Sequence, residues 1–510
     1  MYIFSLGTTK IAAVQATILA KVDIKTTKLI YRLIKMSMYK GAFNEDHGSE
    51  LSSVIQTTIL DCGIRYSQVR AVARDGCSLN GLAMEHIKGV QATISGAPRY
   101  IPGVLNHVID TICISHTLDN CGATYMSLGV EHHRLGGPNS KEFTNHVTAL
   151  FQSDSTSASV EFKSAMGQKL EKKSGTRWWS EEQVQEQIIA FMRPTILQPG
   201  EPARPSFSEW IKDIFERGVL GGAHVTYLYK TLIQGIEGFN ATKLAWIELE
   251  LAVVVDVSLP LRIATADLEG DKCLSLITMK IIQKVHNSFE IHWDDMHYIN
   301  VYPRMVEFSS SGLFPPYSID SSIESWITYA KICAIKCKDH FYSKVFEHLN
   351  IPLYKACRLC DPDFFWRDHS WRGINNVTTV SLVTDVKILL EPMVVARYIN
   401  QQTADNLCGP ELQGYVEICL QKQVNFSTLN SNDHCDAISD FWNDLKSTLP
   451  LWYDFVTLCM LLIPSSASVE RVFSLLKLVL KDQQGRSYNE VIELACQLIF
   501  NKRGGGNELD

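Results

Sequence analysis

The chain has 510 residues, of which 46% are hydrophobic and 20% charged, and a formal net charge of −7. That length exceeds one ordinary hydrophobic core and implies two or three domains, while the composition excludes disordered, collagen-like and coiled-coil classes. The acidic balance argues against a protein that wraps nucleic acid over its whole surface, and it leaves room for a local basic groove.

The first 135 residues carry the β signal. "YIFSLG", "AAVQATILA" and "KLIYRLIKMSM" are β-branched and apolar runs separated by polar turns, and they read as three successive strands. "GSELSSVIQTTILDCG" then places apolar residues at 51, 54, 55, 59 and 60, a helical spacing ended by Gly63. A short strand in "VRAVARDG", a helix in "LNGLAMEHIKGV" and a last strand in "VIDTICISHTL" complete a mixed α/β sheet.

From 140 to 450 helical periodicity dominates, and the region reads as one all-helical domain. It is broken by linkers such as "RPTILQPGEPARPSF" (193–207). "LAVVVDVSLPL" reads as a buried helix that ends at Pro260. "LPLWYDFVTLCMLLIP" is the longest apolar stretch, but Asp454 interrupts it and prolines flank it. It falls short of the roughly 18 apolar residues that cross a bilayer.

Residues 451–503 end in two helices. In the first, Val469, Val472, Phe473, Leu476, Val479 and Leu480 form an apolar stripe, with Glu470, Ser474, Lys477 and Lys481 opposite. The second starts at Ser487 with Glu490 as its capping-box partner, and its stripe is Val491, Leu494, Ala495 and Leu498. Residues 504–510, "GGGNELD", read as a disordered tail.

Several motifs bear on chemistry. Asp75 closes the strand in "AVARDGCSLNG", where a carboxylate suits a metal ligand in an α/β enzyme and Asp-Gly equally suits a plain turn. Cys113 and His116 form "CISH", and one C-x-x-H pair lacks the two further ligands of a tetrahedral zinc site. Cys357 and Cys360 form the only C-x-x-C, with no His pair at finger distance downstream, so no structural zinc is expected. Arg177 and Trp178 stand in "GTRWWS", where a tryptophan can stack on an unpaired base or anchor a core. Phosphate-cradling loops, nucleophile elbows and H-E-x-x-H are absent. Fourteen cysteines scattered singly indicate reduced thiols, and "MYIFSLGTTK" has no secretory-signal pattern.

Together these pieces resemble the hAT superfamily of cut-and-paste DNA transposases. "PSSASVERVFSLL" followed by "GRSYNEVIELACQLIFNK" is similar to the C-terminal hAT dimerisation region, and "RDGCSLNGLAM", "CISHTLDN" and "TRWWS" follow in the family's order. The resemblance implies an RNase H-like mixed sheet (1–135) interrupted by a large α-helical insertion domain (140–450) and completed by the C-terminal dimerisation helices (451–503). It implies three carboxylates holding two Mg²⁺ or Mn²⁺ ions, with Asp75 as the second acid and Glu470 as the third. It aligns Trp178, beside Arg177, with the tryptophan associated with a flipped base, and Cys113 and His116 with the family's C-x-x-H. Val472, Phe473, Leu476, Leu494 and Leu498 are the expected core and dimerisation contacts. The implied location is nuclear, away from membranes, and the implied partners are further copies or related hAT proteins, with DNA second.

Two departures qualify the implied activity. The position of the first acid is Leu6, in "SLGTTK", and the nearest acid is Asp23 at the end of the next strand. A BED-type zinc finger, usual at the family's N-terminus, is not found. The expectation is therefore a degenerate transposase-derived protein without transposition activity. The alternatives are an active two-metal transposase that recruits Asp23, and a domesticated DNA- or chromatin-binding regulator.

Overall fold

The computed structural model describes residues 2–3, 13–39, 45–74, 78–94, 97–122, 140–151, 157–167, 169–170, 178–192, 204–234, 240–270, 272–295, 300, 303–304, 306–307, 334–364, 379–422, 424–426, 428–468, 471–472, 475–476 and 489–503. The chain divides into two units. Residues 1–117, 266–283 and 347–510 form the first, and residues 118–265 and 284–346 form the second. The helices after 347 thus belong with the sheet, and not with the helical domain expected over 140–450. Periodicity tells that a segment is a helix, but it does not tell whose core the helix joins.

The first unit is built on a five-stranded sheet of order β3-β2-β1-β4-β7. Its strands are β1 (Tyr2–Ile3), β2 (Ala13–Asp23), β3 (Lys28–Tyr39), β4 (Ala71–Arg74) and β7 (Ile109–Ile112). β1, β4 and β7 run parallel, whereas β2 is antiparallel to both of its neighbours. Ala71, Val72 and Ala73 of β4 are all buried, as a parallel strand covered on both faces requires. A separate hairpin joins β5 (Gly89–Ile94) to β6 (Ala97–Pro102), a pair of strands not expected from the sequence.

Two helices cover the sheet. Leu51, Ile55 and Ile59 of α1 (Glu45–Asp61) share one apolar cluster with Ala83, Met84 and Ile87 of α2 (Ser78–Lys88) and with Val72 of β4. α1 approaches α2 closely at Gly48, where an added Cβ would stand 2.7 Å from Leu82 Cβ. As expected, Gly63 ends the first helix. Its φ of +69° is cheap only for glycine, and it lets the Ile64 amide reach back to the Ile59 carbonyl at 3.1 Å.

Each edge of the sheet is closed by a carboxamide. On β7, Asn350 Oδ1 accepts from the Ile112 amide at 3.4 Å, and its Nδ2 donates to the Asp110 carbonyl at 3.1 Å. On β3, Asn501 Oδ1 accepts from the Leu33 amide at 2.9 Å, and its Nδ2 donates to the Leu33 carbonyl at 3.2 Å. Glu493 and Gln497 extend that second set, bonding the Met36 amide at 2.9 Å and the Ile34 carbonyl at 2.6 Å. Glu493, Gln497 and Asn501 recur at four-residue steps and so share one face of the helix Asn489–Arg503.

Of the expected core and dimerisation contacts, Leu494 and Leu498 do not enter this chain's core, being 55% and 64% exposed, while Cys496 and Phe500 are buried. The edge strand presents unpaired backbone groups, so the polar row and not the leucine stripe turns toward it. The capping box expected at Ser487 and the position of Val491 on the helix's apolar face lie outside the described residues, as does the tail 504–510.

The helices Pro410–Lys422, Ser431–Leu445 and Pro450–Met460 build a second core around Trp442, Trp452 and Tyr415, all fully buried. Asp454 of the apolar stretch faces solvent. Among the described residues, no helix is long and apolar enough to cross a membrane.

The second unit is helical. Phe143, Phe151, Phe162, Phe191, Phe207 and Trp210 bring four helices together, with Phe162 meeting Phe151, Phe191 and Trp210 edge-on at 5.1–5.2 Å. Ser206 and Glu209 form a reciprocal capping box that starts the helix Phe207–Glu216 at the end of the expected linker. Residues 193–203 of that linker lie outside the described residues. The helix Asn240–Leu268 does not stop at Pro260. It is buried on nearly every side from Ile247 to Val257, and Arg262 beyond the proline pairs with Glu182 at 2.5 Å and Glu186 at 2.8 Å. Packing on both sides of the break outweighs a cost of roughly 3 kcal/mol for proline in a helix.

Candidate functional site

The strand β4 ends at Arg74, one residue before Asp75. The Arg74 carbonyl accepts from the Cys113 amide at 2.7 Å, so the ends of β4 and β7 lie side by side. The Arg74 guanidinium grips both oxygens of Asp110, with Nε and an Nη at 2.9 and 3.1 Å. His348 stands near this pair and is held below the ordinary histidine range, first by burial and further by Arg74, with Asp110 opposing.

Cys113 is where two distant segments meet. The strand expected over "VIDTICISHTL" stops at Ile112, and residues 114–122 are helical. Cys113 is the cap: its carbonyl accepts from the Thr117 amide at 3.1 Å, and its Sγ accepts from the His116 amide at 3.4 Å. The C-x-x-H spacing is thus that of a helix start, with the sulfur in the place usually taken by a serine or aspartate oxygen. The thiol is fully buried, and burial pushes it above its ordinary range despite these hydrogen bonds. A thiol so placed is a poor nucleophile and a poor metal ligand. The His116 ring is half-buried, with no hydrogen-bond partner among the described residues.

The C-terminal segment 463–468 threads against this cap. The Pro464 carbonyl accepts from the Ile114 amide at 2.7 Å, and Ser465 Oγ meets Ser115 Oγ at 3.1 Å. The Ser466 amide and hydroxyl both donate to Cys113 Sγ at 3.2 Å. The Ile463 carbonyl accepts from the Tyr354 hydroxyl at 3.4 Å. Ser465, Ser466, Ala467 and Ser468 are all buried, which explains why "PSSAS" is built of small side chains: nothing larger fits between the strand ends and the helix cap. Further along, Val472, Leu475 and Leu476 are helical and buried, while Arg471 is part-exposed.

Of the expected ligands, Leu6, Asp75 and Glu470 lie outside the described residues, as do Arg177 and Phe473. Trp178 opens the helix Trp178–Phe191, and its side chain lies outside the description. Among the described residues no three His, Cys, Asp or Glu side chains converge on a metal position.

Asp23 can be placed, and it cannot replace a first acid. Tyr2 pairs with both Ala20 and Ala71, so these three residues are level across the sheet. Asp23 lies three residues beyond Ala20 on an antiparallel strand, and Arg74 lies three residues beyond Ala71 in the opposite sense. About six residues of strand, roughly 20 Å, separate their levels. Asp23 instead turns the β2–β3 hairpin. Its carboxylate accepts from the Thr26 hydroxyl at 2.6 Å and the Lys25 amide at 3.1 Å, and these bonds hold it below the ordinary carboxylate range.

Sequence reasoning missed Asn350, which joins the β7 edge to the helix Ile351–Cys357, and the Arg74–Asp110 clasp. Asp110 pairs with Val72, and Arg74 lies two residues further along β4 on the same face, so the clasp is a legible signal once β4 and β7 are known to pair. Comparison with protein-family models gives no match, and comparison with curated proteins gives none either.

Proposed function

We propose that this chain is a degenerate hAT-type, transposase-derived protein on an RNase H-like sheet, acting by association with other proteins and not by cutting DNA. The observation that carries this reading is the docking of 463–468 onto Cys113. Two motif segments that resemble the family, 350 positions apart, meet at the strand ends where that family's carboxylates belong. The parallel order of β1, β4 and β7 supports it further, with Tyr2 paired to Ala71 and Ile3 to Val72.

Divalent metal chemistry does not fit the donors present. A two-ion centre needs a carboxylate shared between ions roughly 3.5–4 Å apart. The first position is leucine, and Asp23 is committed to a hairpin at the other end of the strands. No catalytic step is therefore assigned to Asp75 or Glu470. The expected result is that purified protein leaves supercoiled plasmid intact in Mg²⁺ or Mn²⁺; nicking by the unaltered chain would overturn the reading. Leu6→Asp tests the same point from the other side, since any activity must depend on the restored acid.

Association is assigned to the outer face of the helix Asn489–Arg503, where Leu494 and Leu498 stand exposed one turn apart. The proposed partners are further copies or related nuclear proteins of the family, with DNA second. Leu494→Glu with Leu498→Glu leaves the β3 contacts in place and is expected to abolish self-association measured by light scattering. An unchanged mass for this variant, where the unaltered chain is oligomeric, would remove the assignment.

A further inference from the structure

The helical unit holds an arrangement unconnected with the sheet. His146, on the helix Ser140–Leu150, and His224, on the helix Ala223–Tyr229, turn their Nδ1 atoms toward each other at 3.0 Å. Their rings cross at 63° with centroids 5.0 Å apart, so the two imidazoles meet edge to face with their Nδ1 atoms in contact instead of stacking. The His146 ring is fixed from behind by Tyr227, parallel to within 8° at 3.8 Å. No other hydrogen bond to either imidazole is present among the described residues. His224 is exposed and His146 half-buried, so water has access to the point where they meet.

We propose that His146 and His224 form a two-histidine site for a borderline divalent transition metal of the Zn²⁺, Ni²⁺ or Cu²⁺ class, joining the two helices that carry them. Imidazole nitrogens bind such ions at about 2.0–2.1 Å, which sets two ligands of one ion about 2.9 Å apart at a right angle and about 3.3 Å apart in a tetrahedron. The observed 3.0 Å falls between these values, so the ion enters with small ring movements. Neutral imidazole is preferred by these ions, whereas Mg²⁺ and Ca²⁺ prefer oxygen donors.

Without metal, a nitrogen–nitrogen contact of this length is a hydrogen bond in which one Nδ1 keeps its proton and the other accepts it. On binding, the donor ring gives up its Nδ1 proton and takes one from solvent at Nε2, so both imidazoles stay neutral with both Nδ1 lone pairs free for the ion, and water completes the coordination sphere. Tyr227 acts as the orienting neighbour. Its hydroxyl is bonded to Glu142, one turn before His146 on the same helix, so the stack that sets the ring angle is itself held.

The test is titration of the full chain, stripped with chelator, with Zn²⁺ and then Co²⁺. One equivalent of Zn²⁺ is expected to bind and raise Tm, with Mg²⁺ inert at the same concentration. The visible spectrum of the Co²⁺ form should lack thiolate charge-transfer bands, which separates this site from the cysteines. His224→Gln changes an exposed side chain and His146→Gln a half-buried one. Each should weaken binding about tenfold or more, a loss of the size seen on removing a supporting residue of a metal site. Circular dichroism identifies any variant that has not folded, and His224→Gln alone then suffices. Equal Zn²⁺ affinity in the unaltered chain and in His224→Gln, thiolate bands with Co²⁺, or no binding at all would each overturn the proposal.

Discussion

Trp442→Ala is expected to lower unfolding free energy by about 3–5 kcal/mol, the range for deleting a buried aromatic ring. The ring is wholly buried, 4.8 Å from Tyr415 and stacked at 11° to Trp452. Each of these three aromatics also holds a carbonyl of a neighbouring segment. Trp442 Nε1 donates to Cys360 at 2.7 Å, the Tyr415 hydroxyl to Leu359 at 3.0 Å, and Trp452 Nε1 to Leu407 at 3.1 Å. Alanine therefore opens a cavity and leaves the Cys360 carbonyl without its donor. Phenylalanine keeps most of the ring and loses the hydrogen bond, so Trp442→Phe should cost clearly less, about 1–3 kcal/mol. Urea unfolding of both variants checks the ordering. Equal losses would mean that the hydrogen bond, and not ring volume, dominates.

Lys280→Met is expected to cost about 3–5 kcal/mol for the opposite reason, because it strands a buried charge. Lys280 Nζ donates to Asp363 Oδ2 at 3.0 Å and to His434 Nδ1 at 3.4 Å. An ammonium only donates, so His434 Nδ1 is the acceptor and its Nε2–H donates to Asp361 Oδ1 at 3.1 Å. Asp361 Oδ1 also accepts from the Asp363 amide, and Asp363 Oδ1 accepts from the Phe426 amide. Asp361, Asp363 and His434 are all nearly inaccessible. Lys280 is the cation that faces Asp363 in this buried network. Salt screens buried pairs weakly, so the loss should persist between low and 1 M NaCl, which unfolding in both buffers measures. A loss that vanishes at high salt would show the pair to be solvent-exposed in solution. Lys280→Met with Asp363→Leu removes both charges, and it should be less damaging than Lys280→Met alone.

Much of the sheet was legible because its periodicity is strong: the runs read there correspond to the strands Ala13–Asp23 and Lys28–Tyr39, and the helix ending at Gly63 lies where spacing put it. What escaped reading was decided by partners far along the chain. "VIDTICISHTL" looks like one strand because isoleucine and threonine continue through it, yet Cys113 caps a helix at its midpoint once Ser466 arrives to bond the sulfur. Pro260 marks a break on local grounds and is overruled by burial on both sides. Leu494 and Leu498 form a plausible core stripe until the unpaired edge of β3 claims the polar face of their helix. At the candidate site, Arg74 and Ser466 both bond Cys113. The role of Cys113 itself was not legible, because a C-x-x-H pair looks the same in a string whether it caps a helix or holds a metal.

The two asparagines that seal the sheet also determine how this chain can meet others. An extended peptide seeking to lengthen the sheet finds the carboxamide of Asn350 or Asn501 already in the place its own backbone would take. Strand addition at these two edges of the five-stranded sheet is therefore opposed, and contacts there are made through side chains. The two seals differ in how they fail. Asn350 sits within the chain and is 7% exposed, whereas Asn501 rides on the final helix. Trimming or detaching that helix would bare the twelve-residue β3 while the rest of the sheet stood intact, turning a discrete particle into a template for fibrous growth.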